Sequence, residues 1–333
     1  MNIQKKNERK LEIIRNLEPY LLHGTYQFDN EFRFICKISK KNNPIVKDKS
    51  INSEYIEIKK GNNKIFQGDI LWFCINGDIK IFSDFETLTL CNNENNYMAK
   101  IENHKYFSKY FDLPKLKTSD DKTYQLIEEF IHFRKITQSD TTFILKTIYK
   151  DYVRYLKIMK EKSCLDFRSL NNLIESNKNP INKIQFEQVC NYINDELFNK
   201  KFPYIKLHGD LWTGNILLTD TCNGTSLKYI DWDESGTYIF FYDFFKFMWN
   251  EFDVNDRYDY YQRYMNNEFD QYLDDIFSIF KVEFNSLLKR DYFCMFILNY
   301  MLDYSSNIPY LVKQEEIYDF QKKILSKNSF LSL

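Results

Sequence analysis

The chain has no run of the roughly 18 apolar residues that a membrane-spanning helix needs. Its two best stretches, residues 238–249 and 292–302, are short and are interrupted by Asp243, Lys246 and Asn299. Clustered cysteine is missing too. The seven cysteines are scattered, odd in number and free of any Cys-x-x-Cys, and the four histidines fall at no zinc spacing. A disulfide-stapled scaffold and a zinc module are therefore excluded, and free thiols in a reducing compartment are expected. Net charge is close to absent, at −1 from 46 basic and 47 acidic residues, so a nucleic-acid partner is not expected. Neither Gly-x-Gly-x-x-Gly nor the Gly-x-x-x-x-Gly-Lys-Ser/Thr phosphate loop occurs. Residues 1–10 are charged and hold no apolar signal core, which fits a cytoplasmic protein.

What is present is globular in kind. With 333 residues, 44% hydrophobic and 28% charged, the chain suits one large domain or two lobes with a substantial core. Thirty phenylalanines and 25 tyrosines stand out. Biased codon usage accounts for such a skew, and a ring-lined ligand site is the alternative. No internal repeat is found.

Local patterning divides the chain in two. Residues 3–22 alternate charged and apolar residues at helical spacing, with both signs of charge, as a solvated helix face does. Strands are expected at 32–38, 55–58 and 86–91. Residues 70–75 and 78–82 form a hairpin around Asn76-Gly77. A helix over 94–111 ends at Leu113-Pro114, and 124–131 reads as a strand. Beyond 132 the pattern turns helical. Ile144, Ile148, Tyr152, Tyr155 and Met159 share one face, and so do Phe186, Val189, Cys190, Ile193 and Leu197. Further helices are expected at 240–252, 255–281, 283–305 and 314–326. This divides the chain into residues 1–131, rich in β-structure, and 132–333, mainly helical.

The most informative segment is His208-Gly209-Asp210-Leu211-Trp212-Thr213-Gly214-Asn215, followed by Tyr229-Ile230-Asp231-Trp232-Asp233. Two apolar runs and Asn223-Gly224 lie between them and read as a hairpin. A hairpin brings its open ends together, so Asp210, Asn215 and Asp231 are expected to converge. A carboxylate, an amide oxygen and a second carboxylate suit phosphoryl transfer. One Asp orients the acceptor hydroxyl, and the amide and the other Asp hold Mg²⁺ on nucleotide phosphates.

These residues resemble the aminoglycoside phosphotransferase and choline kinase-like family, and Asp-Leu-Trp-Thr-Gly-Asn is also similar to the fructosamine kinases. The close match spans residues 205–245. The resemblance implies an α+β, bilobal protein kinase-like fold with its site in the cleft between lobes. It implies transfer of the γ-phosphoryl group of ATP, with GTP left open, to a hydroxyl of a small molecule such as a sugar, aminoglycoside, amino alcohol or glycan precursor. In that scheme Asp210 is the catalytic base and His208 holds its loop. Asn215 and Asp231 ligate Mg²⁺, and Asp243 braces the loop from the next helix.

For the nucleotide, the resemblance implies a hinge at Glu129 and Phe130 whose backbone meets adenine. Lys80 and Glu102 are candidates for the pair that clamps the phosphates, with Lys100 as the rival lysine. Residues 60–63 are a candidate phosphate turn. Asp233, which stands where the family often has Glu, contacts substrate, supports the site or is simply a surface residue. A nucleotide-binding pseudokinase is the main alternative. A protein kinase is disfavoured by His-Gly-Asp in place of His-Arg-Asp and by the missing Asp-Phe-Gly. Acceptor identity and oligomeric state are not encoded in any motif.

Overall fold

Strands β1 (Gly24–Asp29), β2 (Phe34–Lys37), β3 (Ile51–Ile58), β4 (Ile70–Phe73), β5 (Ile79–Phe82), β6 (Glu86–Leu90), β7 (Leu116–Asp120) and β8 (Gln125–Glu129) form one eight-stranded sheet in the order β3-β1-β2-β4-β5-β6-β8-β7. The pairings are antiparallel. The computed structural model describes residues 3–47, 49–59, 65–162, 165–176, 187, 189–222 and 224–302. Within these the chain separates into two compact units, 1–137 with 217–230, and 138–216 with 231–333.

The strand sequences follow from how the first unit's sheet is covered. Ile35, Leu71, Ile81 and Leu88 pack into one core with Tyr26, Phe28 and Ile127, while Phe34, Cys36 and Ile70 belong to a second cluster around Val46. Consecutive side chains of a strand point to opposite faces, so a strand buried on both faces reads as a continuous apolar run, as Phe34-Ile35-Cys36 does. The expected hairpin at Asn76-Gly77 forms, with Gly77 at φ 88°, a conformation that glycine adopts without steric cost. Strands β1 and β7 had no clear sequence signal. β7 is exposed almost throughout and lies at the sheet edge, so nothing enforces an apolar alternation.

Helix α1 (Ile3–Asn16) is shorter than the pattern over 3–22, because Pro19 starts a separate 3-10 turn at Glu18–Tyr20. Helix α2 (Glu94–Phe107) begins where the Asn93 side chain accepts the Asn96 N–H.

In the second unit, α3 (Thr141–Glu161) buries Ile144, Tyr152, Tyr155 and Met159 of the expected face and leaves Ile148 half-buried. A three-stranded sheet, in the order β13-β10-β9, was not expected in a helical half. It contains β9 (Asp166–Arg168), β10 (Phe202–Leu207) and β13 (Gly236–Ile239). β10 is buried almost throughout, and such a short apolar run cannot be told from a helix by periodicity. The short helices α4 (Leu170–Ser176) and α5 (Asp195–Asn199) lie between β9 and β10. Phe186 of the expected helix lies outside the described residues, as does the expected helix at 314–326.

The single helix expected at 255–281 is two, α7 (Asp259–Met265) and α8 (Asp270–Ile279). Asn267, at φ 70°, breaks them apart in the left-handed conformation that asparagine tolerates. Helices α6 (Tyr242–Asp253) and α9 (Lys289–Leu302) are buried on most faces, which explains their near-continuous apolar sequence without any membrane. No helix among the described residues is long and apolar enough to cross one. The α+β class expected from the sequence is therefore the class observed.

Candidate active site

The segment 208–215 leaves the end of β10 and is pinned by a buried acid on α6. Asp243 is 1% exposed. Its Oδ2 accepts the Tyr152 hydroxyl (2.7 Å) and the His208 N–H (2.8 Å), and its Oδ1 accepts the Gly209 N–H (2.9 Å). Burial pushes this carboxyl above the ordinary carboxylate range, against the opposing pull of His208 and of those donors. Gly209 sits at φ 83°, and a Cβ there would lie 2.0 Å from the Glu234 carbonyl oxygen. Only glycine permits both the turn and that close approach.

His208 is fully buried and packs on Trp232 at 4.3 Å between ring centroids. Its Nδ1 accepts the Asp210 N–H at 3.3 Å, so this nitrogen is occupied within the loop.

The Asp210 carboxylate is held on both oxygens. Asn250 donates to Oδ1 at 2.8 Å and Asn215 to Oδ2 at 2.9 Å, while the Lys246 ammonium lies 3.6 Å from Oδ1. Asn215 also donates to the Asp210 carbonyl at 2.7 Å. Both neighbours of that amide nitrogen are acceptors, so its assignment as Nδ2 follows from chemistry. The Asn215 Oδ1 is thereby turned away from Asp210. Further along the loop, Thr213 donates through its N–H (3.0 Å) and its hydroxyl to Glu251, which is fully buried and meets Arg257.

The hairpin of β11 (Ile216–Thr221) and β12 (Gly224–Tyr229) follows. Asn223 of its turn lies outside the described residues, and Gly224 adopts φ 108°. The hydroxyls of Thr219 and Ser226 meet at 2.8 Å. Asp231 is exposed and stands at φ 63°, ψ 54°, a left-handed conformation that strains a non-glycine residue by about 1–2 kcal/mol. Asp233 is half-buried in the 3-10 turn Trp232–Glu234.

The nucleotide candidates of the first unit lie on β5, on α2 and at the end of β8. Lys80 on β5 pairs in register with Trp72 and Thr89. Glu102 is exposed on α2, and no ion pair joins it to Lys80 among the described residues. The reason is rotational. The buried face of α2 carries Tyr97, Asn103 and Phe107, and at about 100° per residue Glu102 points to the opposite side. Lys100 is ion-paired to the buried Asp78 at 3.2 Å, a carboxylate that also accepts the Asn92 N–H.

At the expected hinge, the Glu129 N–H donates to the Lys115 carbonyl and the Phe130 N–H to the Phe85 carbonyl, both at 2.9 Å. The Glu129 side chain lies 3.7 Å from Lys228. These two amides are therefore committed inside the protein and are not available to adenine. The candidate phosphate turn at 60–63 lies outside the described residues.

Sequence reasoning missed Tyr152, Lys246, Asn250 and Glu251. A signal for three of them was present. Asp243, Lys246, Asn250 and Glu251 are polar breaks in an otherwise apolar helix, and their spacing puts them on one stripe. That stripe is the face of α6 that holds the loop.

No protein-family model matches the chain, and no curated protein matches it. Among solved structures it is similar to amicoumacin kinase hAmiN in complex with AMP-PNP, Ca²⁺ and Ami, at 13% identity and a TM-score of 0.46 over 97% of this chain and 96% of that one. It is also similar to an ethanolamine kinase of Plasmodium vivax, at 15% identity and a TM-score of 0.42 over 76% and 78% of the two chains. A third is aminoglycoside phosphotransferase APH(3'')-Id from Streptomyces rimosus with ADP and streptomycin, at 11% identity and a TM-score of 0.42 over 70% and 92%. The structural neighbours of this chain are thus small-molecule kinases and phosphotransferases.

Proposed function

We propose that this chain is a Mg-ATP-dependent phosphotransferase that moves a γ-phosphoryl group to a hydroxyl of a small molecule. One observation carries the reading: the Asp210 carboxylate is oriented on both oxygens by side-chain donors, on a loop whose backbone is pinned by a buried acid. Phosphoryl transfer asks little of a protein beyond alignment and charge neutralisation, and such preorganisation supplies the alignment. Asp210 orients the acceptor hydroxyl and receives its proton. His208 keeps the loop in shape.

Asn215 and Asp231 are the residues that would hold Mg²⁺. They fit a hard cation, because the Asn215 Oδ1 is turned away from Asp210 and Asp231 offers an exposed carboxylate at the open end of the hairpin. Bound there, the ion would neutralise phosphate charge. For the nucleotide, Lys80 and the carbonyl groups of the segment at Glu129 and Phe130 are the proposed contacts, since the two amides are already committed.

A second reading, nucleotide binding without turnover, is favoured by one observation: Lys80 and Glu102 do not pair. One experiment separates the two. Mg²⁺-dependent consumption of ATP is measured with pooled sugars, amino alcohols and aminoglycosides, for wild type and for Asp210→Asn. Acceptor-dependent turnover that drops about a hundredfold to ten-thousandfold in the variant supports the phosphotransferase. Mg-ATP binding with no turnover supports the second reading, and no nucleotide binding overturns both.

A further inference from the structure

Lys246 is the most unusual charged group of the second unit. It lies in the middle of α6 and is 2% exposed. Burying an ammonium is costly unless its charge is paired and its three donors are used. Here the charge is only loosely met. The nearest carboxylate oxygen, Asp210 Oδ1, is 3.6 Å away, beyond a normal hydrogen bond, and is already taken by Asn250 at 2.8 Å. The Tyr300 ring lies 4.6 Å from Nζ and contributes a cation–π contact. No hydrogen bond within 3.5 Å is made by Nζ among the described residues. Lys289, also buried in this unit, contrasts with it, because its Nζ meets both Asn267 and Asp270 at close range.

The loop beside Lys246 supplies no basic side chain of its own between Asp210 and Asn215, where the four residues are Leu211, Trp212, Thr213 and Gly214. A transferring phosphoryl group spreads negative charge over its non-bridging oxygens, and lysine or arginine side chains commonly meet that charge. An ammonium with unused donors 3.6 Å from the carboxylate that would orient the acceptor is placed for this task.

We propose that Lys246 is a catalytic residue that donates hydrogen bonds to the non-bridging oxygens of the transferred phosphoryl group. The proposal rests on the phosphotransferase reading above. In the step, the acceptor oxygen forms a bond to the γ-phosphorus as the bond from that phosphorus to the β–γ bridging oxygen breaks. The electron pair leaves with the nucleoside diphosphate. The hydroxyl proton passes to Asp210, and Lys246 keeps its own protons throughout.

The test uses the wild-type chain first. An acyl phosphate of ATP carries its acyl group at the γ-phosphate and acylates a lysine amine in contact with it, releasing ATP. Peptide mass spectrometry then locates the modified lysines, with and without competing ATP. Acylation of Lys246 that ATP suppresses is the expected result. ATP-suppressible acylation confined to other lysines overturns the inference while leaving the phosphotransferase standing. Failure of wild type to turn over any acceptor or to bind ATP counts against the phosphotransferase itself.

Kinetics supply the second arm. Lys246→Met is expected to lose about a hundredfold in kcat with little change in KM for ATP, and Lys246→Arg to recover part of it. The rate ratio between ATP and its γ-thio analogue should fall toward one in Lys246→Met. It should stay at the wild-type value in Asn250→Ala, which disturbs only the orientation of Asp210. An unchanged ratio in Lys246→Met, or a kcat within threefold of wild type, overturns the inference. If Lys246→Met does not fold, the acylation pattern of the wild-type chain decides.

Discussion

Asp243 offers the sharpest test of how the loop is held. In Asp243→Ala, the Tyr152 hydroxyl and the His208 and Gly209 N–H groups lose their common acceptor in a buried setting. Each buried donor left unsatisfied costs about 1–3 kcal/mol, so the simple sum runs from roughly 3 to 9 kcal/mol. The space left by the carboxylate is about one water in size and polar, which allows partial rehydration, so about 4 kcal/mol is expected. Tyr152→Phe removes one donor and leaves the other two bonds intact, at about 1 kcal/mol.

Hydrogen exchange of a peptide covering residues 204–212 reads the loop directly. The alanine variant should lose about three decades of protection there, and the phenylalanine variant less than one. Asp243→Asn should fall between them. Its oxygen serves Tyr152 and His208, while its NH₂ faces the Gly209 N–H.

The pH dependence has a definite sign. Burial raises this carboxyl above the ordinary 3.8, so its contribution to stability is fully present below that value and is lost as pH rises through the folded-state value. The margin of wild type over Asp243→Asn should therefore shrink as pH rises from the acid range. Unchanged loop protection in Asp243→Ala refutes the reasoning, because the carboxylate would then not be what pins the loop.

Two further outcomes follow from the same geometry. Asp231→Asn keeps the side-chain shape but removes one charge, and should raise the Mg²⁺ concentration for half-maximal activity by more than about tenfold; Asn215→Ala should do the same and also lower kcat, since Asp210 loses the donor on Oδ2. A magnesium titration unaffected by both changes would remove these residues from the metal site. For the thiols, burial pushes Cys294 up to about 12 and Cys36 up to about 11, whereas Cys222 is exposed. Iodoacetamide at neutral pH should label Cys222 in the native chain and reach Cys36 and Cys294 only after denaturation, as mapped by mass spectrometry. Rapid native labelling of Cys294 would contradict the packing of α9.

Some of this was legible in the residues themselves. The hairpin at Asn76-Gly77 and the face of α3 follow from local rules, turn chemistry and helical period, and both formed as read. The hairpin between Asn215 and Asp231 was also legible, from two apolar runs around a turn signal, and β11 and β12 form it. Strand β10 was not, since a short strand buried on both faces has no period to detect.

The sequence by itself determined which groups are available to the chemistry and where the chain must turn to present them. Only the tertiary structure decided how those groups are held. It set α6 against the loop, so that Asp243, Asn250 and Glu251 each bond a different part of it. It spent the Glu129 and Phe130 amides on Lys115 and Phe85, paired Lys100 with Asp78, and turned Glu102 to solvent. The physical reason is the same in each case. Spacing along a chain fixes which residues share a face, but which donor meets which acceptor depends on elements distant in sequence, and that is set by packing.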